Sequence, residues 1–378
     1  MAPTESSPDR LRIPADLLPA DGRFGSGPSK VRAEAAASVA RAPELGTSHR
    51  QAPVRALVGR VREGLAALHR APDGYELALG NGGSSQFWDI AVCGLIERRS
   101  SHAVFGEFSA KFARAAESAP HLQAPQVRVV EPGEVALPDP APGADAYAWP
   151  QNETSTGAAA PVRRIADDGA LVLVDATSAA GAMDVDLAAT DAWYFAPQKN
   201  LGSDGGLWLS FLSPAAIERA YQLRASGRWI PASLDLVDAI EQSRKNQTTN
   251  TPAVATLLML AAQLDWLQER GGLDFAVERT RDSSGRVYAW AERHPLASPF
   301  VADPAHRSPV VATIDFAGSV DAKALAATLR ANGIVDVEPY RKLGRNQLRI
   351  GTYAAVDPDD VTALCACLDW VLERIAQT

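Results

Sequence analysis

The chain has 378 residues, 46% of them hydrophobic and 22% charged, which is typical of a globular protein with a large core. It carries 37 Lys and Arg against 45 Asp and Glu, which gives a net charge of −8 and a pI near 5.4. Binding to nucleic acid or to an anionic membrane requires basic surfaces. We therefore expect neither nucleic acid nor a membrane as a partner.

The cysteines Cys93, Cys365 and Cys367 have no C-x-x-C spacing, so they indicate neither a disulfide framework nor a zinc site. Reduced thiols fit a cytoplasmic protein, and no other metal site is indicated. Residues 1–21 contain acids and prolines but no long apolar stretch. This segment lacks the features of a targeting sequence and is interpreted as a flexible N-terminal tail.

Strands and helices alternate through the first two thirds of the chain. The predicted elements up to residue 149 are a helix over 53–69, a strand over 75–79, a helix over 86–96, a strand over 102–105, a helix over 109–116, a proline- and acid-rich surface connection over 123–142, and a strand over 144–149. Two strands ending near Asp175 and Lys199, a strand over 206–211 and a helix over 251–270 follow. This alternation predicts an α/β fold with a mainly parallel sheet covered by helices on both faces.

The last part of the chain has a different pattern. It predicts a strand over 310–316, a helix over 322–331, a strand over 347–351 and a helix over 358–375. We interpret this region as a smaller α+β domain. The expected domains are a large one at residues 22–262 and a small one at 263–378, after the tail.

Asp175 ends the apolar strand at residues 171–175, and Lys199 follows 24 positions later in the run Ala196–Asn200. Ligands collect at the carboxyl ends of parallel strands, where both side chains are expected. A lysine that forms a Schiff base and an acid that holds the pyridinium nitrogen are what pyridoxal phosphate chemistry needs. Taken singly, Lys199 fits a solvated lysine, and Asp175 fits a helix cap.

Several polar segments complete a possible cofactor site. Gly83 and Ser84 lie in the glycine-serine turn at 80–85, which can surround a phosphate although it is neither a dinucleotide fingerprint nor a P-loop. Phe108 can stack on a flat ring, Thr154 can donate to a ring hydroxyl, and the segment at 247–252 can bind an anion. Each also has a purely structural alternative. The glycine-serine segment and Thr154 fit turns, Phe108 fits a core aromatic, and the segment at 247–252 fits a helix cap.

Four cations fall within nine positions of this acidic chain: Arg341, Lys342, Arg345 and Arg349. A solvated loop is the alternative. The guanidinium fork nevertheless suits carboxylate and phosphate, and the strand pattern around Arg349 would hold its side chain rigid. His49 and Arg50 are a second candidate anion pair.

Together these segments resemble the class V aminotransferase superfamily. The resemblance covers nearly the whole chain from residue 24 onward, and its matching segments are 24–28, 47–50, 80–87, 106–108, 152–154, 174–178, 196–200, 250–252 and 340–349. It implies fold type I and a homodimer with the active site between subunits, with pyridoxal 5′-phosphate as cofactor. It further implies that Lys199 is the Schiff-base lysine, that Asp175 pairs with the pyridinium and that Phe108 stacks on the ring.

The resemblance also assigns the remaining residues. It implies that the ring substituents and phosphate are bound by Thr154, Gln198, Gly83 and Ser84, and by Asn250 and Thr251 of the other subunit. Arg349 would bind the substrate α-carboxylate, and His49 and Arg50 the distal anion. A better-known pattern of the family has arginine at the position of Ser84 and histidine at that of Tyr340. Lys342 or Arg345 is the expected replacement.

The activity that the resemblance implies is interconversion of O-phospho-L-serine and 2-oxoglutarate with 3-phosphohydroxypyruvate and L-glutamate, a step of serine biosynthesis. A phosphorylated hydroxythreonine of vitamin B6 synthesis has the same anionic groups. One alternative is a class V aminotransferase for alanine, serine or glyoxylate. Another is a non-catalytic scaffold with the same fold.

Overall fold

A computed structural model of the chain describes residues 11–375. The helices are α1 Ala33–Ala40, α2 Ala52–Leu68, α3 Ser84–Gly94, α4 Glu107–Ser118, α5 Pro214–Ala225, α6 Leu236–Arg244, α7 Val254–Gln268, α8 Gly272–Arg293, α9 Ala322–Ala331 and α10 Pro358–Ile375. The strands are β1 Glu76–Gly82, β2 Ser100–Val104, β3 Gln126–Val129, β4 Ala146–Pro150, β5 Asn152–Glu153, β6 Ala158–Ala159, β7 Leu171–Asp175, β8 Ala192–Phe195, β9 Gly206–Leu212, β10 Ala297–Pro299, β11 Val311–Phe316 and β12 Gln347–Gly351.

In the described part of the chain, seven strands form the central sheet in the order β1-β9-β8-β7-β4-β2-β3. The five strands from β8 to β3 are parallel, whereas β9 is antiparallel to both of its neighbours. Leu171 and Leu173 of β7 enter one apolar cluster, and Val172 and Val174 enter another on the opposite face. The predicted α/β fold, with a mainly parallel sheet buried on both faces, is confirmed.

Parallel pairing fixes where the loops after the strands lie. Pro150 at the end of β4 is in register with Asp175 at the end of β7, and Asp175 is in register with Tyr194 of β8. The segments that follow these three strands therefore leave the sheet at one edge. This edge is where ligands bind in open parallel sheets.

The small sheet β10-β11-β12 is antiparallel and packs with α8, α9 and α10 around a core of its own. The predicted helix over 322–331 and strand over 347–351 are observed with the same bounds. The expected domain boundary at residue 262 falls inside α7, which packs against α1 and α2. The domain bounds themselves stay a prediction.

Two local predictions are wrong. The surface connection over 123–142 contains the edge strand β3, whose alternating Val127 and Val129 are exposed. Gly80 belongs to β1, not to a turn, and is paired with Trp208 of β9. A Cβ atom at Gly80 would lie 2.8 Å from the Trp208 ring, so glycine there allows close packing in a strand.

Part of the expected N-terminal tail packs against the small sheet's core. Residues 1–10 lie outside the described residues. Ile13 is buried in that core, its backbone N–H donates to Asn332 Oδ1 at 3.0 Å, and the Cys367 thiol donates to the Leu17 carbonyl at 3.3 Å. Residues 11–21 are thus held by tertiary contacts, and the expectation of a flexible tail is wrong for this part because its scattered apolar residues pack against a distant core.

This packing gives a prediction for stability. Ile13→Ala should lower the free energy of unfolding by about 2–4 kcal/mol, because it removes buried methyl groups and leaves a cavity. Urea unfolding followed by circular dichroism measures the change. Leu45→Ala is the control, since Leu45 is 42% exposed. Equal effects of the two substitutions would mean that the segment around Ile13 contributes nothing to the core.

Candidate active site

A cavity of about 380 Å³ opens at the carboxyl ends of β4, β7 and β8. Its lining residues are Gly27, Pro28, Gly83, Ser84, Ser85, Trp88, Phe108, Lys111, Pro150, Asn152, Thr154, Asp175, Thr177, Gln198 and Lys199. The structure thus brings together every cofactor residue predicted from the sequence except the pair at 250–251. Sequence reasoning missed the contributions of Trp88 and Lys111.

Lys199 lies four residues beyond β8 and is buried, with its Nζ atom donating to the Ser26 carbonyl at 2.6 Å. Burial, reinforced by the positive charge of Arg349, lowers the pKa of Lys199 to about 7. An amine with such a pKa is neutral in an appreciable fraction of molecules near neutral pH. It is therefore available as a nucleophile and as a base.

Gly27 is required by the close approach of the lysine. A Cβ atom at this position would lie 1.8 Å from Lys199 Nζ, inside any possible contact distance. The neighbouring Ser26 carbonyl also accepts a hydrogen bond from the Tyr353 hydroxyl at 2.8 Å. The segment at 24–28 therefore forms a wall against the lysine and contacts the region after β12.

Asp175 is buried, and its two carboxylate oxygens have different partners. The backbone N–H of Thr177 donates to Oδ1 at 2.9 Å, and the Thr177 hydroxyl donates to the same atom. The indole Nε1–H of Trp88 donates to Oδ2 at 3.3 Å. Burial raises the pKa of Asp175, and these donors counteract that rise because they stabilise the ionised form.

The N-terminus of α3 is a suitable site for a phosphate. The helix begins at Ser84 after Gly83, and no side chain caps its first turn. A side chain at Gly83 would meet nothing within 4 Å, so the space beside it is open. Backbone N–H groups at a helix N-terminus, together with the helix dipole, favour an anion. Ser84 Oγ lies 2.6 Å from Thr177 Oγ1, within hydrogen-bonding distance, and this contact links the phosphate site to Asp175.

Phe108 forms part of the wall through α4, and a buried carboxylate holds that helix in place. Glu153 accepts hydrogen bonds from the backbone N–H groups of Phe108 at 3.3 Å and Ser109 at 2.9 Å. It also accepts from the Ser109 and Ser155 hydroxyls. Glu153 therefore fixes the start of α4 and with it the Phe108 ring, a role that its position in the 152–154 motif did not reveal.

Amide oxygens on the floor of the cavity are available to a ligand. Asn152 Oδ1 and Gln198 Oε1 are buried and have no hydrogen-bond partner among residues 11–375. The Thr154 hydroxyl donates to Ser178 Oγ at 2.8 Å, which leaves its oxygen as an acceptor. Buried polar atoms without partners are costly, so these atoms favour a polar ligand in the cavity.

Arg349 extends the site into the small domain. Its Nη1 donates to the Thr154 carbonyl at 3.1 Å, while its Nε is buried without a partner in the part of the chain that the structure describes. The guanidinium lies 5.1 Å from the centre of the Tyr340 ring, and that ring is 5.9 Å from the Phe108 ring. Burial lowers the pKa of Arg349. These three side chains form a row that leads from β12 to the cavity.

Four predicted residues lie in a second cluster outside this cavity: His49, Arg50, Asn250 and Thr251. His49 Nδ1 is 3.1 Å from Thr251 Oγ1, and Arg50 donates to the Thr249 carbonyl at 3.1 Å. Asn81, just before the phosphate site, donates to the Thr251 carbonyl at 2.7 Å. One chain alone does not bring this cluster to Lys199.

The cations of the 341–349 loop differ in their surroundings. Arg345 forms an ion pair with Asp315 of β11 at 2.6 Å, and Lys342 forms one with Glu107 of α4 at 2.5 Å. Arg341 is exposed and makes no hydrogen bond or ion pair with the described residues. None of the three lines the cavity. The structure thus places Arg345 against β11, where Asp315 neutralises its charge.

The cysteines are all buried in helices, Cys93 in α3 and the other two in α10. Burial raises the pKa of Cys365 to about 12 and that of Cys367 to about 11, which makes these thiols poor nucleophiles. Within residues 11–375 we find no group of acids, histidines and cysteines arranged to hold a metal, and no helix apolar and long enough to cross a membrane.

Comparison with known proteins identifies the family. The family described as Aminotransferase class-V matches residues 33–337. The chain belongs to the class-V aminotransferase family. It is 59% identical over 372 residues to a Nocardioides sp. protein named phosphoserine aminotransferase, with 97% of this chain and 100% of that protein covered.

Solved structures of class-V aminotransferases share the fold. A phosphoserine aminotransferase from Cytophaga hutchinsonii superposes with a TM-score of 0.86 at 22% identity, covering 93% of this chain and 99% of that one. An alanine–glyoxylate aminotransferase from Nostoc sp. gives 0.79 at 20% identity, with 98% and 100% covered. Because enzymes of different activity superpose well, the fold alone does not choose the substrate.

The cofactor of this class-V aminotransferase is pyridoxal 5′-phosphate. The residues of the cavity fit it. Lys199 is a buried amine of lowered pKa, and Asp175 is a carboxylate whose Oδ2 atom accepts a hydrogen bond from Trp88 alone among the described residues. The uncapped start of α3 is suited to the phosphate. The unpartnered oxygens of Asn152 and Gln198 are acceptors for donors on the bound ring or substrate.

The surroundings of Lys199 predict a pH dependence. In the cofactor-free protein, acetylation of Lys199 should show a midpoint near pH 7, since only the neutral amine reacts. Arg349→Met should move that midpoint to higher pH, because removing a nearby cation favours the protonated amine. Mass spectrometry of the modified peptide measures both. Arg345→Met is the control, and a midpoint unchanged by Arg349→Met would show that the two groups do not interact.

The close approach at Gly27 gives a second prediction. Gly27→Ala should weaken cofactor binding, because the added methyl group displaces the end of the Lys199 side chain and the φ of +152° at this position is strained for a residue with a Cβ atom. Equilibrium dialysis with pyridoxal phosphate measures the binding. Gly318→Ala serves as the control, since a Cβ atom there meets nothing within 4 Å. Normal binding by Gly27→Ala would show that the lysine accommodates the methyl group without loss of function.

Proposed function

We propose that this class-V aminotransferase interconverts O-phospho-L-serine and 2-oxoglutarate with 3-phosphohydroxypyruvate and L-glutamate. The observation that carries the proposal is a pair of arginines with free hydrogen-bonding capacity. Arg349 has a buried Nε without a partner, and Arg341, eight positions earlier, is exposed without an ion-pair partner in the described chain. The Nocardioides relative, named for this activity, supports the same substrate.

Both substrates carry an α-carboxylate, and Arg349 is the residue that we assign to it. The guanidinium is mostly buried, is held by the Thr154 carbonyl, and rests on the Tyr340 ring. An arginine fixed in this way offers a planar fork that suits a carboxylate. It would orient the α-carbon toward Lys199.

The bound cofactor supplies the electron sink that makes the α-proton of an amino acid removable. Lys199 would take up the proton from the α-carbon, a role that its lowered pKa allows. Asp175 would hold the pyridine nitrogen of the cofactor in its protonated form. Phe108, fixed by Glu153, would stack on the ring and exclude water.

The distal phosphate requires cations beyond Arg349. Arg341 is one, and we assign His49 and Arg50 of a second copy of the chain as others. His49 Nε2 is buried without a partner in the described residues, and the cluster also contains Thr251. This arrangement corresponds to a homodimer in which Asn250 and Thr251 reach the cofactor phosphate of the partner. We assign Arg345 to the fold, because Asp315 already neutralises it.

The serine-biosynthesis reaction fits a cytoplasmic enzyme, and three buried free thiols support that location. A phosphorylated hydroxythreonine has the same two anionic groups as phosphoserine, so the proposal extends to that step of vitamin B6 synthesis. An aminotransferase for alanine or glyoxylate needs no distal cations. Substrate preference therefore separates the two functions.

The test compares kcat/KM for phosphoserine and for alanine. Arg341→Ala and Arg50→Ala should each lower the value for phosphoserine about ten- to a hundredfold and leave alanine unchanged, because one charge-assisted contact is lost. Arg349→Ala should weaken both substrates. Arg345→Ala is the matched control and should change neither. A wild-type enzyme without preference for phosphoserine would refute the proposed function in favour of a small-substrate aminotransferase.

A further inference from the structure

Helix α3 links the two ends of the cofactor cavity. Ser84 lies in its first turn, beside the phosphate site, and Trp88 follows four residues later on the same face. At the other end, Trp88 donates to Asp175 Oδ2 at 3.3 Å. One rigid element thus carries both the phosphate site and a hydrogen-bond donor to the acid.

The Trp88 indole is well fixed. It is 7% exposed and packs nearly parallel to the Phe112 ring of α4, at 6.3 Å between ring centres and with an angle of 16° between the planes. An indole N–H held between two helices points in one direction. The Nε1–H group of Trp88 therefore fixes the position of Asp175 Oδ2, the oxygen to which it donates.

Asp175 depends on such donors. Thr177 supplies both hydrogen bonds to Oδ1, and Trp88 supplies the one described bond to Oδ2. The carboxylate of Glu153, at the end of β5, opposes ionisation of Asp175. Tyr194, from β8, stays neutral because burial and the charge of Asp175 raise its pKa well above the ordinary value.

Lys199 after β8 is the cation that interacts with this carboxylate, and Arg349 on β12 acts on Lys199 in turn. Lys199 hydrogen-bonds the Ser26 carbonyl, and Arg349 the Thr154 carbonyl, so neither is hydrogen-bonded to Asp175. The Tyr194 hydroxyl lies near both Trp88 and the carboxylate. Asp175 itself lines the cavity.

We propose that Trp88 is a positioning residue, whose indole N–H aims Asp175 Oδ2 at the pyridine nitrogen of the cofactor and stabilises the ionised carboxylate. The sequence motif of the family did not include this residue. The role concerns cofactor binding, so it holds or fails independently of the substrate preference.

The proposal predicts a definite direction of change. Without the indole donor, the neutral form of Asp175 gains relative to the ionised form, and the carboxyl takes up a proton at higher pH. As the pH is lowered, cofactor affinity should therefore begin to fall at a higher pH in the variant than in the wild type. Trp88→Phe keeps an aromatic ring in the space and removes only the N–H donor and part of the indole.

The experiment titrates the cofactor-free protein with pyridoxal phosphate at several pH values. Trp88→Phe should bind about tenfold more weakly near neutral pH, with the acid limb of the affinity profile moved to higher pH. Trp193→Phe is the matched control, because Trp193 is also buried but donates to Gln151 Oε1 at 2.9 Å. An equal, pH-independent loss in both variants would overturn the proposal.

A double-mutant cycle tests whether Trp88 acts through Asp175. In the Asp175→Asn background, Trp88→Phe should change cofactor affinity less than twofold, because no ionised carboxylate remains to be stabilised. An undiminished effect there would contradict the proposed coupling.

A measurement on the wild type covers the case in which Trp88→Phe does not fold. In protein labelled with ¹⁵N-tryptophan, one indole resonance should shift on cofactor binding and lose that shift in Asp175→Asn. If all indole resonances respond identically in the two proteins, Trp88 has no such role.

Discussion

The contact on which this active site depends is the one between Lys199 Nζ and the Ser26 carbonyl at 2.6 Å. It places a buried amine beside backbone from a segment 173 residues away. The same segment is tied to the lysine loop by Ser29, whose hydroxyl donates to the Lys199 carbonyl at 2.6 Å. Gly351 of β12 donates to the Phe24 carbonyl at 2.8 Å. Residues 24–29 therefore connect the lysine to β12 of the small sheet.

Two buried carboxylates near this lysine show how surroundings separate structural from chemical roles. Glu153 has its oxygens occupied by backbone N–H groups and hydroxyls at the start of α4, so it acts as a helix cap. Asp175 has two donors on one oxygen and one on the other. The difference leaves Asp175, and not Glu153, with an oxygen available to a bound cofactor.

The cations near the site also differ in whether a carboxylate of the protein pairs with them. In a chain of net charge −8, several cations near the site are already neutralised, as Arg345 is by Asp315 and Lys342 by Glu107. Arg349 is different, because its partners are a neutral carbonyl and an aromatic ring. A buried guanidinium without a hydrogen-bonded counter-ion is costly, so the surroundings of Arg349 favour binding of an anion. The cations of this loop therefore differ in whether a carboxylate of the protein already pairs with them.

The sequence by itself determined the elements whose signals are local. The strand that ends at Asp175, the lysine run at 196–200 and a glycine-serine segment suited to a phosphate could be identified, because apolar runs and the residues that follow them are contiguous in the chain. Parallel pairing then made it predictable that Asp175 and Lys199 meet at one sheet edge. The edge strand β3 was missed although Gln126–Val129 alternates polar and β-branched residues, because the prolines and acids around it favoured a loop. The strand character of Gly80 was not predictable, because its packing against Trp208 leaves no local pattern.

Only the tertiary structure decided which partners those residues have. Trp88 lies 87 positions from Asp175, and Gly27 lies even further from Lys199, so no spacing rule connects them. The same holds for Arg345, whose ion pair with Asp315 of β11 joins positions 30 residues apart. Sequence patterns report the chemistry that a residue type can perform. Burial, a neighbouring charge and one rigid donor determine which residue performs it, and these arise only when distant segments pack together.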